Sequence, residues 1–494
     1  MDLNHDTARR KADSAGIAHP SRNISVLRDI PQQMLRLLTL LLCLTFPIHA
    51  ASRPNIVLVF IDDMGWGDFS CFGNKTVKTE NMDRLASEGL RFEQFYVNSP
   101  ICSPSRTAIS TGQYPQRWNI HSYLADRKEN KRRGMAQWLD PKAPMLARAL
   151  HEAGYATGHF GKWHMGGQRD VGEAPLITEY GFDKSLTNFE GLGPRILPIL
   201  DPHNDNPTQR WDLGSANLGH GPITWADRSI VTARFTEAAL DFIKEAESAD
   251  KPFYVNVWPD DVHSPFFPPG NRKGEAKRKL YHRVLDAADE QLESLFDYIR
   301  SSDKLRENTL ILVCSDNGPE PGAGSSGPFQ GAKTELYEGG VRSPLIVWGP
   351  GFVPKAKTGT VNENSFLAAI DLAPSLLKWV GVPTPNADFD GEAIPEVFLG
   401  TSDLSRSKPL FFRRPPDRPK RGDEDLPDLA VRDGDWKFLC EYDGSSPELY
   451  DLSRDRSESS NLASKHQKIV EKLRKELLAW HASMPADTGP DLGQ

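Results

Sequence analysis

Four apolar runs, each ending in residues capable of chemistry, constrain the fold of this chain more than any other feature. Asn55-Ile56-Val57-Leu58-Val59-Phe60 runs into Ile61-Asp62-Asp63, and Tyr155 to Phe160 runs into Gly161-Lys162-Trp163-His164. Pro252 to Trp258 leads to Pro259-Asp260-Asp261-Val262-His263, and Thr309 to Cys314 leads to Ser315-Asp316-Asn317-Gly318. Continuous apolar runs rich in β-branched residues fit strands covered on both faces. Helical patterns punctuate them at Asn81 to Leu90, Pro144 to Ala153, Thr232 to Ala246 and Glu275 to Ile299. The alternation predicts an α/β sandwich with a large, mainly parallel sheet between helices. Open α/β sheets bind ligands at the carboxyl ends of their strands, which is where all four polar clusters fall.

The clusters differ in what they offer. Asp62, Asp63, Asp316 and Asn317 supply three carboxylates and an amide oxygen, a donor set for a hard divalent cation such as Ca²⁺ or Mg²⁺ rather than Zn²⁺. Asp-Asp and Ser-Asp-Asn-Gly are also ordinary turn residues, but both pairs end apolar strands, which favours the metal. Lys162 and His164 lie two apart, so continued alternation would aim both the same way. His263 precedes Ser264-Pro265, with Asp260 and Asp261 just before it. Lys333 follows a glycine-rich loop and precedes Glu338-Gly339-Gly340-Val341-Arg342; taken alone it reads as a solvated lysine.

A further stretch, Cys102-Ser103-Pro104-Ser105-Arg106, continues as Thr107-Ala108-Ile109-Ser110-Thr111-Gly112. Bare, it is either a nucleophile ahead of a helix N-terminus, where backbone donors favour an anion, or a buried cysteine in a turn. Gly112 is placed to close that helix.

Composition sets outer limits. Among 494 residues, 38% hydrophobic and 26% charged content describes an ordinary globular protein, large enough for one big domain and a smaller one. A net charge of −8 gives no electrostatic case for nucleic acid. Leu37 to Phe46 is apolar, preceded by Arg36 and followed by Pro47-Ile48-His49-Ala50-Ala51, the pattern of a secretory signal over 34–50. That run is too short for a stable membrane span, so a secreted or periplasmic location is expected. The polar residues 1–33 then form a non-native or disordered extension, with Met34 as the expected start. Five cysteines do not make a disulfide scaffold. The texture changes after Thr401: Arg413 to Leu426 reads as a linker, Leu429 to Phe438 and Pro447 to Leu452 as short antiparallel strands, and His466 to Trp480 as a helix. Residues 52–401 and 402–494 are therefore expected to form a catalytic domain and a small C-terminal α+β subdomain. The sequence carries no signal for an oligomeric state.

The Cys102 run resembles the sulfatase signature, Cys-x-Pro-Ser-Arg with Gly six residues on. The likeness extends from about Arg53 to Thr401, and to Asp433-Gly434-Asp435-Trp436-Lys437 and Leu449-Tyr450-Asp451-Leu452. It implies an alkaline-phosphatase-like fold and hydrolysis of sulfate esters, with a sulfated carbohydrate as substrate. In that family the cysteine is oxidised to formylglycine (3-oxoalanine) by a formylglycine-generating enzyme. The resemblance further implies one Ca²⁺, or Mg²⁺, held by Asp62, Asp63, Asp316, Asn317 and the modified Cys102. Arg106 and Lys162 would steady the formylglycine, His263 and Lys333 would contact sulfate and leaving oxygen, and His164 would assist release of sulfate. Met64-Gly65-Trp66-Gly67-Asp68 and Gly324 to Phe329 look most like the arylsulfatase A and N-acetylgalactosamine-6-sulfatase types. A phosphonate or phosphate ester hydrolase of the same fold is the alternative. A catalytically silent binder of sulfated glycans is a second, opposed by the complete set of reactive positions. Choice of sugar falls to the irregular region Gly166 to Ala226, where Trp211, His203, Arg210 and His220 are candidates, with the C-terminal subdomain as a further contributor.

Overall fold

The first apolar run becomes a central strand of a nine-stranded sheet. The computed structural model describes residues 53–200, 209–384, 388–422 and 424–487; the extension expected over 1–33, the signal expected over 34–50, and His203 lie outside them. The strands of this sheet are β1 (Asn55–Ile61), β2 (Leu90–Tyr96), β3 (Ala156–Gly161), β4 (Lys184–Leu186), β5 (Phe253–Trp258), β6 (Thr309–Ser315), β7 (Arg342–Trp348), β8 (Thr360–Asn362) and β9 (Leu367–Ala368). Their spatial order is β8-β2-β7-β6-β1-β5-β3-β4, with β9 also pairing with β2. Only β7 runs antiparallel to its neighbours, β2 and β6. The sheet is thus mixed and mainly parallel, as expected.

Both faces of β1 are covered, which is why its sequence does not alternate. Ile56, Leu58 and Phe60 pack with Leu146 and Leu150 of helix α3 (Leu146–Glu152) and with Leu372 and Leu376 of α6 (Leu372–Trp379). Val57, Val59 and Ile61 face the other way, toward α1 (Glu80–Glu88), α4 (Val231–Ser248) and α5 (Lys277–Ser301). Each of these helices except α6, which no periodicity singled out, lies within a turn of its expected bounds. Among the described residues no helix is long and apolar enough to cross a membrane.

Two expectations need correction. The region 166–226 is not without regular structure. It adds β4 to the edge of the main sheet and forms a separate three-stranded sheet from Arg195–Leu200, Gln209–Arg210 and Ile223–Asp227. These strands are short and interrupted by Pro198, so neither length nor alternation marks them. The stretch expected as a linker is also packed. Arg413 ends a strand and, like Arg414, is almost wholly buried. Arg414 pairs with Asp428, and Arg413 reaches Nδ1 of His121 at 2.8 Å. Lys420–Arg421 pairs antiparallel with Glu424–Asp425. Arginines in a Pro-rich run look solvated until distant carboxylates are placed beside them.

Four antiparallel strands, β10 (Leu410–Arg413), β11 (Leu429–Asp433), β12 (Trp436–Cys440) and β13 (Glu448–Asp451), form the second sheet in that order. Helix α7 (Gln467–Ser483) covers it through Val470, Leu473 and Leu477. Its core is shared with Tyr96, Val341 and Phe366 of the larger sheet and its surroundings. Lys437 of β12 donates to Glu338 at 3.0 Å and pairs with Glu458 at 2.8 Å, all three buried.

Two histidines sit in this interior without charge. His159 of β3 is caged by the rings of Trp163, Phe182 and Trp258, and burial, then the Arg106 cation, pushes it down to about 3. Burial, then Arg413, pushes His121 down to about 3 as well. A base depressed in the folded state contributes stability above its ordinary value of 6.5 and loses it as pH falls toward 3. Between pH 7 and 5, His159 alone should cost about 2 kcal/mol of stability. Urea denaturation should therefore show wild type losing about 2 kcal/mol more over that interval than His159→Leu; equal losses would refute the assignment.

Candidate active site

Parallel pairing builds the floor of the site. β1 and β6 are in register so that Ile61 lies opposite Ser315, and the next residues, Asp62 and Asp316, leave the sheet side by side. On the other flank Gly161 lies opposite Trp258, and the Lys162 amide donates to the Trp258 carbonyl at 2.9 Å. Gly161 has φ +128°, and a Cβ there would stand 2.1 Å from that carbonyl oxygen. Only glycine allows β3 to deliver Lys162 at this height.

Arg106 ties the floor together. Its Nη2 donates to Asp62 Oδ1 at 3.1 Å and Asp316 Oδ2 at 2.7 Å, and its Nη1 donates to the Lys162 carbonyl at 2.9 Å. Its guanidinium lies 5.3 Å from the Trp258 ring and 5.7 Å from the Phe60 ring. Lys162 Nζ donates to the second oxygen of Asp62 at 2.6 Å, and Lys333 Nζ to Asp63 Oδ2 at 2.6 Å. His263 Nε2 is 3.6 Å from the same Asp63 oxygen. Asn317 Nδ2 donates to Asp63 Oδ1 at 2.9 Å, leaving Asn317 Oδ1 buried without a hydrogen-bond partner. Carboxylate oxygens of Asp62, Asp63 and Asp316 lie within 4.8 Å of one another.

Cys102 is the first residue of helix α2 (Cys102–Thr111), not a residue ahead of it. Ile101 occupies the cap position and makes no side-chain cap, while Gly112 closes the other end at φ +67°. The whole helix is buried. Ligand atoms of Asp62, Cys102 and His263 fall within 4.8 Å of one another. A helix terminus taken alone favours an anion. Burial, followed by the Asp62 charge, instead pushes the thiol well above its usual range.

The other charges follow from the same packing. Burial would raise Asp62, but Lys162 and then Arg106 outweigh it and hold the carboxyl well below the usual range. Asp316 goes the other way, pushed up by burial and then by Asp62. Burial opposes the Lys162 and Lys333 charges, yet Asp62 and Asp63 keep both lysines protonated. Burial, then Lys162, depresses His164; burial, then Lys333, depresses His263.

Above this floor opens a cavity of about 400 Å³ lined by Cys102, Lys162, His164, His263 and Lys333. The ten residues singled out from the sequence therefore form one connected assembly. The strand expected to orient Lys162 and His164 ends at Gly161, and His164 takes a left-handed conformation at φ +54°. Alternation does not govern it. Its Nε2 lies 2.8 Å from the Leu124 carbonyl and 3.0 Å from Glu190 Oε2, and its buried Nδ1 has no hydrogen-bond partner.

Sequence reasoning missed Glu190, Arg169, Tyr123 and Arg418, which share the cavity wall. Glu190 is pushed up to about 7 by burial, against the opposing pull of Lys162. No periodicity marks Glu190 or Arg169, and Arg418 lies in the stretch read as a linker. Trp211 does line the cavity; Arg210 lies over Trp225 and His220 is exposed, and neither lines it.

Comparison with known proteins completes the assignment. The sulfatase family profile matches residues 54–382, and the profile of the N-sulphoglucosamine sulphohydrolase C-terminal region matches 329–483. Human arylsulfatase A is 31% identical over 469 residues, covering 86% of each chain. Dog N-acetylgalactosamine-6-sulfatase is 30% identical over 378 residues, 74% of this chain and 69% of that protein. The crystal structure of Ps i-CgsB in complex with k-i-k-neocarrahexaose shares the fold, with a TM-score of 0.70, 23% identity, and coverage of 87% of this chain and 92% of that one. The chain belongs to the sulfatase family and is a sulfuric ester hydrolase.

Proposed function

We propose that the protein desulfates carbohydrates by means of a formylglycine generated at Cys102, with one hard divalent cation in the carboxylate cluster. The observation that carries this reading is the convergence at Cys102: its sulfur lies within 4.8 Å of ligand atoms of Asp62 and His263, at a floor where Lys162, Lys333 and Arg106 pair with the clustered carboxylates. Oxidation to formylglycine at position 102 supplies a hydrated aldehyde as the nucleophile in place of a thiolate. The cluster fits a metal because its donors are all oxygen and the Asn317 Oδ1 is buried without a partner. Asp62, Asp63, Asp316 and Asn317, with position 102, would hold Ca²⁺ or Mg²⁺, which supplies a Lewis acid for charge on sulfuryl oxygens.

The chain's own residues do the rest. Lys162 and Lys333, permanently charged beside position 102, bind the sulfuryl oxygens and stabilise charge developing there. Arg106, wholly buried, holds Asp62 and Asp316 in place and never meets solvent. His164 donates from Nε2 to the Leu124 carbonyl, so Nδ1 is the free acceptor and takes the proton of a hydroxyl at position 102. His263 donates from Nδ1 to the Ser264 carbonyl at 2.6 Å. It lines the cavity with Lys333, and the two serve the leaving oxygen. Trp211, Phe189 and Tyr123 offer aromatic faces suited to a sugar ring, and N-acetylgalactosamine-6-sulfatase is among the relatives. The catalytic residues belong to a domain spanning 52–401, with 402–494 as a C-terminal subdomain. The expected signal sequence takes the protein to a secreted or periplasmic location, where Cys102 has been modified by a formylglycine-generating enzyme.

Cys102→Ala should reduce turnover of an aryl sulfate by about 10⁴-fold or more while leaving circular dichroism unchanged. Mass spectrometry of the wild-type Cys102 peptide should find formylglycine, and full activity with unmodified cysteine would refute the mechanism. Wild type should cleave the aryl sulfate faster than the matching aryl phosphate; the reverse preference would favour the alternative hydrolase.

Exhaustive chelation should remove activity and lower Tm, and Ca²⁺ or Mg²⁺ should restore both. In Asp316→Ala, Ca²⁺ should no longer raise Tm. A chelated enzyme with unchanged Tm and activity would rule out the metal.

A further inference from the structure

We infer that Asn188 is a positioning residue for the reaction: its carboxamide ties the turn that carries His164 to the loop that carries His263, and so sets the spacing of the two histidines. This rests on the roles proposed for them above. The histidines follow neighbouring strands, β3 and β5, whose pairing ends with the Lys162 amide on the Trp258 carbonyl at 2.9 Å. Among the described residues, no hydrogen bond joins 163–166 directly to 259–265.

The chain leaving β4 closes that gap. Asn188, 1% exposed, donates from Nδ2 to Asp260 Oδ2 at 2.7 Å and accepts the Glu190 amide on Oδ1 at 2.8 Å. The Glu190 carbonyl accepts the His164 amide at 2.9 Å, and the Asp260 carbonyl accepts the His263 amide at 3.1 Å. One side chain therefore stands between two backbone bonds, each of which ends on the amide of a histidine.

The far end of this brace is anchored by charge. Arg228, just ahead of α4, donates from Nη1 to Asp260 Oδ1 and to Asp261 Oδ1, each at 3.0 Å, and from Nη2 to the Asp260 carbonyl. Asp260 thus has a guanidinium on one oxygen and the Asn188 amide on the other. A buried carboxylate needs such donors, and an amide can donate to it while accepting a backbone N–H. An aspartate at 188 would keep the acceptor and lose the donor. At the near end His164 sits at φ +54°, a conformation that a non-glycine residue keeps only where its surroundings dictate it. Neither Asn188, Asp260 nor Arg228 lines the cavity, so all three act through the histidines. Those histidines serve the two ends of one transfer, and a misplacement of about 1 Å can cost about 10²-fold in rate.

Hydrogen–deuterium exchange and leaving-group kinetics on the full enzyme test the brace from two sides. Asn188→Ala and Asn188→Asp should each speed exchange about tenfold or more in both 162–166 and 260–265 while leaving β1 as in wild type. Faster exchange in one segment alone, in neither, or throughout the chain would overturn the inference. With aryl sulfates of graded leaving-group pKa, both variants should lower kcat about tenfold or more for the poorest leaving group and less for the best, with KM held within about twofold. A defect that merely reduced the amount of folded enzyme would lower every kcat by one factor. Combining Asn188→Asp with Asp260→Asn again sets a donor against an acceptor at unchanged net charge. That pair should recover slow exchange and bring kcat to within about threefold of wild type. A uniform loss of kcat, or a pair no better than Asn188→Asp alone, would likewise overturn the inference. Exchange is read without turnover, so a wild type inactive on aryl sulfates would overturn the proposed function and still leave the brace to be judged.

Discussion

Arg106 bridging Asp62 and Asp316 is the interaction on which the site depends. All three side chains are fully buried, and the Arg106 guanidinium, which cannot shed its proton, is answered there by Asp62 and Asp316. Removing one partner of such a group costs about 3–5 kcal/mol, because the remaining charge is left in an apolar surround. The arrangement fixes the spacing of the two strand ends and leaves the outward oxygens of the carboxylates to Lys162 and the neighbouring loop. Position 102 then meets a rigid, electrically composed floor instead of one organised by solvent. Preorganisation of this kind acts on charge that develops during a reaction without a further reorganisation cost.

Much of this was legible in the sequence because it depends on burial. A strand covered on both faces must be apolar throughout, and a polar cluster at its end then stands out against it. Asp62-Asp63, Lys162, His263 and Asp316-Asn317 are visible for that reason, and so is the order of strands and helices. What was not legible depends on partners distant in the chain. Arg413 and Arg414 look solvated until Asp487 and Asp428 are placed beside them. Glu190 looks like any loop glutamate until folding sets it against His164. The short strands between Arg195 and Asp227 carry too few residues for a period to show.

The same contrast explains the Cys102 thiol. Position at a helix N-terminus is a local property and argues for a thiolate. Burial and the Asp62 carboxylate are tertiary properties, and they dominate. His164 and Lys162 repeat the pattern: strand alternation is local, whereas Gly161 ends the strand and the following residues take their directions from the Trp258 carbonyl and the Glu190 backbone.

The buried group formed by Lys437, Glu338 and Glu458 bears on how such a protein can be altered. Glu338 opens the Glu338-Gly339-Gly340 turn, and the Gly340 carbonyl receives the Gly318 amide at 2.9 Å, one residue from Asn317. Lys437 belongs to the second sheet, so that sheet helps neutralise a charge adjoining the backbone next to Asn317. The C-terminal portion is therefore not a detachable accessory. A chimera that exchanged it between relatives would have to carry Lys437, Glu338 and Glu458 as a single inherited unit.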